Sequence, residues 1–422
     1  MARLAADRSK EGAVPWQNRT VQVVLASTLL APLGVPLVAP ALPVVRDVFA
    51  LSDAEASLLV SAYFLVGIVV SPFVGVLADS VGRKRVLVPA LLVFSITGLA
   101  CFFAPNYTVL LVLRAIQGTA AAALFVTTVT VIGDVFEGVQ RNAVLGANIA
   151  VLSLGAAVFP VLGGALATVA WNTPFLAYVF GFPVALFAYV ALDETVKYPP
   201  EEEHAPGEVD DTAVTTEQTG EYIRGVLSAL TLGMGALLVT AFLTEFFLFG
   251  ALVTALPFLL TALYDVGPLY IGIVLMVAEA GAIVAASANG RLARLLSNGR
   301  IITLGFVCYA VALAGVFLAP SAPFVIAAVL VFGAGLGLSM PAVDAAVSER
   351  VTQEFRAGLL GLRNSTTFLG RATGPVVFAA AATTVGYRPL MVVAAITLGA
   401  AAMVAAVSTR GSVPGIEVEP DI

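Results

Sequence analysis

The chain carries a single histidine, His204, and two cysteines, Cys101 and Cys308. A buried centre built on imidazole or clustered thiolates has no candidates. His204 stands alone in a hydrophilic stretch, and each cysteine sits by itself inside an apolar run. Metal sites, cofactors and a disulfide framework are therefore not expected, and an enzyme is disfavoured for want of an active-site cluster. Charge is scarce as well. Of 422 residues, 11% are charged, where an ordinary soluble domain carries roughly 25%. With 59% hydrophobic residues, there is more apolar surface than a soluble globule can hide. A net charge of −6, with Lys10, Lys84 and Lys197 as the lysines, offers nucleic acid nothing to bind.

What the chain does have is apolar runs of about twenty residues from end to end, which lipid forces into helices or a closed barrel. The runs are too long for tilted barrel strands. They predict an all-α integral membrane protein with twelve spans near 21–43, 56–77, 84–104, 108–131, 142–166, 172–192, 235–262, 268–288, 301–319, 323–345, 357–382 and 388–408. No cleavable leader is expected: Arg3, Arg8, Lys10 and Arg19 precede a first run that flows into Pro36, Pro40 and Pro43 without a small-residue cleavage site. With the N-terminus inside, one face collects those four cations with Arg83, Lys84, Arg85, Arg141, Lys197, Arg224, Arg291, Arg294, Arg300, Arg350, Arg356 and Arg410. The other face has Arg46 and Arg388. Cationic loops stay cytoplasmic, so both termini are expected inside, in a multi-pass protein of the cell membrane.

The organisation reads as a cytoplasmic segment 1–20, a six-helix bundle 21–192, an acidic cytoplasmic linker 193–234, a second six-helix bundle 235–408 and an acidic tail 409–422. Glu201, Glu202, Glu203, Glu208, Asp210, Asp211, Glu217 and Glu221 fill the linker, a composition that favours solvated, disordered chain and is compatible with a salt-loving source. The halves repeat in one register. Gly75, Leu77 and Ala78 match Gly290, Leu292 and Ala293; Gly118 matches Gly333; Arg141 and Gly146 match Arg356 and Gly361; Gly155 and Pro160 match Gly370 and Pro375. Each pair lies 215 positions apart. Parallel duplicated bundles usually surround a midplane substrate site and rock about it.

Three motifs carry the chemistry. Between spans 2 and 3 lies Gly75-Val-Leu77-Ala78-Asp79-Ser-Val-Gly82-Arg83-Lys84-Arg85; its glycines permit close approach and a tight turn, and its cations fix the loop inside. Span 4 contains Arg114-Ala-Ile-Gln117-Gly118. An unpaired guanidinium at that depth costs at least about 2.5–3.5 kcal/mol, so Arg114 should face the interior with partners. Span 5 reads Gly146-(eight residues)-Gly155-Ala-Ala-Val-Phe159-Pro160-Val-Leu-Gly163-Gly164. Span 11 repeats part of it as Gly361-(eight residues)-Gly370-Arg371-Ala-Thr-Gly374-Pro375. Together these resemble the major facilitator superfamily: its signature loop with Val86 at the last basic position, its span 4 motif, and its antiporter motif with Phe159 in place of glycine. The resemblance implies the family's fold of two pseudo-symmetric six-helix bundles and a secondary transporter, and the antiporter motif implies export. It also implies that Asp79 meets the N-terminus of span 11 near Arg356 as a latch, where a carboxylate gains roughly 0.3–1 kcal/mol. In the second half Arg294 replaces that aspartate. Asp134 with Arg141, and Glu349 with Arg356, read as cytoplasmic structural ion pairs or caps, with gating the less favoured alternative.

Ion coupling needs a desolvated carboxylate. Glu245 in span 7 and Glu279 in span 8 should both lie about 15 Å deep, and the resemblance implies that span 7 lines the cavity. Their plain alternative is structural pairing with Arg371 or Arg363; Asp344 lies near a membrane edge and ranks below both. Arg114 is a third candidate, for ion coupling or substrate orientation against structural pairing. Asn148, Arg363 and Phe246, with Phe64 and Phe249, are candidates for the cavity wall. The expected function is proton-coupled efflux of small amphipathic molecules by a chain that works as a monomer, with protons favoured over sodium. A symporter or facilitator for an organic anion is the alternative, and a non-transporting sensor a third reading.

Overall fold

The computed structural model describes residues 13–194, 230–350 and 353–409; the segment 1–12, most of the expected linker and the expected tail lie outside them. Among the described residues ten helices are long and apolar enough to cross a membrane, and the bent helix Asp53–Val81 makes eleven. The twelfth crossing is span 1, which is broken. It runs as a helix over Arg19–Leu30, passes through tight turns at Ala31–Leu33 and Ala39–Ala41, and resumes as Leu42–Val48. The sequence pattern expects one helix over 21–43. Pro32, Pro36, Pro40 and Pro43 prevent it, since each lacks an N–H and crowds the preceding turn.

Span 2 is Asp53–Val81, started by a capping box in which Ser52 and Glu55 satisfy each other's backbone N–H groups. It bends by 57° between Ile68 and Phe73, at Pro72. Spans 3, 4 and 5 are Arg83–Ala100, Tyr107–Val135 and Gly138–Ala167. Span 6 enters through a tight helix, Thr173–Phe180, and continues as Gly181–Ala191. Span 7 runs without interruption from Leu232 to Tyr264, widened into a π-helix over Leu248–Ala255. Spans 8 to 12 are Pro268–Leu292, Asn298–Leu318, Ala322–Glu349, Gln353–Val385 and Tyr387–Thr409.

The repeat holds at atomic scale. A Cβ on Gly118 would overlap the Tyr63 carbonyl oxygen, and a Cβ on Gly333 would overlap that of Ala278. Both glycines and both carbonyls are 215 apart, so span 4 packs on span 2 as span 10 packs on span 8. The halves meet through spans 2 and 11 and through spans 5 and 8. At the end carrying Arg46 they are closed. There a Cβ on Gly164 would strike the Pro268 carbonyl, and one on Gly272 the Pro160 carbonyl. Toward the basic-loop end, a Cβ on Gly146 or Gly361 would meet nothing within 4 Å among the described residues.

Candidate functional site

At mid-depth, Arg371 of span 11 donates from Nε and Nη2 to the two carboxylate oxygens of Glu245 in span 7, at 2.9 and 2.8 Å. The two helices can bring these groups together because they cross on glycine: a side chain at Gly370 or Gly374 would strike the backbone at Phe242 or Phe246, and one at Gly250 would strike Gly374. Glu245 is buried, its side chain 2% exposed, while that of Arg371 is 30% exposed. Rings of Phe64, Phe249 and Phe368 surround the guanidinium. Phe246, a candidate for the cavity wall, packs among Phe242, Phe247 and Phe378.

Glu279 lies halfway along span 8 and is half-buried. Among the described residues it makes no hydrogen bond and no ion pair, though the Glu245 carboxylate is near enough for the two charges to repel. It follows Gly272 by two helical turns, so it continues the face that packs on span 5 at the closed end. Arg363 pairs with Asp344 at 2.6 Å, the acid that the sequence ranks below the other two. Asn148 is buried and accepts from the Thr28 hydroxyl at 2.5 Å. Arg114 is wholly buried and ringed by neutral partners, donating to the carbonyls of Gly34 and Leu59 and to Gln117, with the Tyr63 ring 4.6 Å away.

The loop after span 2 is held within its own half. Arg83 pairs with Asp79 at 2.5 Å and with Asp134 at 2.8 Å. Asp134 thus takes Arg83 rather than the expected Arg141, because Arg83 opens span 3 beside the end of span 4. The Glu194 carboxylate accepts the Lys84 backbone N–H at 3.1 Å, meeting the dipole at the start of span 3. The expected meeting of Asp79 with span 11, and the pairing of Glu349 with Arg356, fall on side chains 351–358, outside the described residues; Glu349 accepts two 3.0 Å bonds from Asn298.

One cluster has no counterpart in the sequence reading. At the closed end the Tyr387 hydroxyl of span 12 donates to the Asp53 carboxylate of span 2. Arg46 binds the other oxygen of Asp53 at 2.8 Å and lies 5.5 Å from the Phe258 ring, which stacks on Tyr387. Asp53 and Tyr387 are 334 positions apart, and no local pattern joins them.

The family model described as Major Facilitator Superfamily matches residues 24–375, with a second match over 265–421. The bacillibactin exporter of Bacillus subtilis (strain 168) is 27% identical over 370 residues, covering 83% of this chain and 87% of the exporter. The quinolone resistance protein NorA of Staphylococcus aureus (strain MRSA252) is 32% identical over 158 residues, covering 37% of this chain and 41% of NorA. Among solved structures, a mutant of the nucleoside transporter NupG superposes with a TM-score of 0.74 at 10% identity, covering 92% of this chain and 99% of that one. A bacterial homologue of the human lysosomal transporter Spinster, inward-facing and unoccupied, gives 0.72 at 16% identity, covering 93% and 98%. These structures are alike in fold.

Proposed function

Because the chain belongs to the Major Facilitator Superfamily, we propose that it exports small amphipathic molecules in exchange for protons, by alternating access between its two halves. The observation that carries the coupling is Glu279, a mid-membrane carboxylate with no hydrogen-bond or ion-pair partner among the described residues, beside the matched charges of Glu245 and Arg371. The pair sums to zero, so the net charge of the cluster follows Glu279. Ionised, that carboxylate sits half-buried at a cost in free energy; protonated, it lets the halves pass through a closed intermediate with no uncompensated charge. Two curated relatives carry names of export and drug resistance, which supports the outward direction.

In this reading the basic loops lie in the cytoplasm and the Arg46 end outside, so the described state is shut to the exterior. The imposed pH gradient supplies the test: purified protein in liposomes with an interior pH dye, screened with cationic dyes and organic anions. Protons moving opposite to the drug are expected. Protons moving with an anion would overturn antiport in favour of symport, the reading that the half-buried Arg371 side chain favours. No proton movement with any compound, against active control vesicles, would sink both.

A further inference from the structure

The environment of the Arg371 guanidinium is that of a ligand. Its carbon lies 5.7 Å from the Phe64 ring centre, 5.4 Å from Phe249 and 5.5 Å from Phe368. Phe64 and Phe249 meet edge to face at 4.8 Å. The buried Glu245 carboxylate takes two hydrogen bonds from the same group. Several aromatic faces around one carboxylate are the recognition chemistry of a delocalised, weakly hydrated cation. Here the cation filling it is tethered to the protein.

Two features set this apart from a pair that only holds helices together. The two members are unequally exposed, Glu245 at 2% and Arg371 at 30%, and a long arginine stem can carry its head away from its partner. The cage also straddles the halves: Phe64 belongs to span 2, Phe249 and Phe368 to spans 7 and 11. A site assembled from both halves at mid-depth is made and unmade as they rock.

We propose that Arg371 is an internal ligand occupying a binding site for hydrophobic organic cations, and that such a cation competes with it for Phe64, Phe249, Phe368 and Glu245. The proposal rests on the transporter reading and names the substrate chemistry of that site. Exchange is charge-neutral at Glu245: the arriving cation takes the carboxylate and the rings, and the guanidinium moves toward the space from which the cation came.

Equilibrium binding of radiolabelled tetraphenylphosphonium to the purified full chain in detergent tests it. Removing a tethered competitor should strengthen binding, so Arg371→Met is expected to bind the probe about tenfold tighter than wild type. Phe64→Leu and Phe249→Leu, introduced into that variant, should abolish the gain. Should Arg371→Met fail to fold, Arg371→Lys keeps the charge but loses the planar fork and is more strongly hydrated; it should compete less and leave binding severalfold tighter. Unchanged or weaker binding in the folded variant overturns the proposal. So does binding of anilinonaphthalene sulfonate that is lost with Arg371, since the arginine would then hold an anion. The assay uses no gradient and no bilayer, so it separates the two readings. A gain in affinity with no proton movement in liposomes would spare the site and sink the antiporter; proton-coupled export with no gain would do the reverse.

Discussion

Arg114 of span 4 donates to the Gly34 carbonyl at 2.5 Å, inside the break of span 1. Its Nε reaches the Leu59 carbonyl of span 2 at 3.2 Å, and Tyr178 of span 6 donates to the neighbouring Leu33 carbonyl at 2.5 Å. The break frees the Gly34 acceptor because the Val38 N–H turns back to Val35 instead of reaching Gly34. No water reaches that depth to replace it. The second half shows the converse. The stretch 33–40 corresponds, 215 positions on, to the π-helix Leu248–Ala255, where Phe247, Ala251, Ala255 and Phe258 stand at the positions of Pro32, Pro36, Pro40 and Pro43. Span 7 therefore stays continuous, and Val329 suffices where the first half needs Arg114.

Arg114→Met should accordingly fail through stability. It strands the buried Gly34 carbonyl and the Gln117 amide oxygen, each costing about 1–3 kcal/mol, for a total of about 2–6 kcal/mol. Thermal unfolding in detergent should show a markedly lower midpoint, partly restored by Arg114→Lys. An unchanged midpoint with lost proton movement would instead make Arg114 a coupling group.

Gly118→Ala and Gly333→Ala should be destabilising alike, by about 1–3 kcal/mol each, because both methyl groups overlap a carbonyl on the partner helix. Gly146→Ala and Gly361→Ala meet nothing within 4 Å among the described residues and should stay within about 0.5 kcal/mol of wild type. If the basic-loop end closes during the cycle, the second pair should nonetheless slow transport about tenfold in the liposome assay. Wild-type rates in both would mean that these glycines never approach another helix.

Much of this was legible in the residues. Apolar runs located the spans, and the constant offset from Gly118 to Gly333 foretold a contact that recurs in both halves. Few charges exist at that depth, so the sequence leaves Arg371 or Arg363 as the candidate partners of Glu245 and Glu279, and the structure pairs Arg371 with Glu245. The break in span 1 was only half legible: four prolines announce it, but its survival depends on Arg114 and Tyr178, which no local period ties to it. The pairing of Asp53 with Tyr387 was not legible. Each stands at the start of a helix, where polar residues commonly serve as caps, and only the closing of one half on the other brings them together.

That pairing predicts a shift in conformation. Tyr387→Phe removes a charge-assisted hydrogen bond of about 1.5–3 kcal/mol that exists only when the Arg46 end is shut. The population open at that end should rise about tenfold or more. A cysteine at Val161, in a background lacking Cys101 and Cys308, should then react faster with a membrane-impermeant maleimide. Equal rates in the two proteins would reduce the Asp53–Tyr387 contact to a surface cap.

The two mid-membrane glutamates should part company when each is made neutral. Glu245→Gln leaves the Arg371 guanidinium without its carboxylate; because the Arg371 side chain is 30% exposed, water recovers some of the loss, and a destabilisation of about 1–3 kcal/mol is expected. Glu279→Gln removes a half-buried charge that has no partner among the described residues, so stability should hold or rise. What it should lose is coupling: proton movement with substrate disappears, while exchange of labelled for unlabelled substrate across vesicles without a gradient continues. Stability and coupling thus separate the roles. If Glu279→Gln retained full proton-driven transport while a folded Glu245→Gln lost it, the proton would ride on the paired carboxylate, and Arg371 would have to leave Glu245 each time a proton arrives.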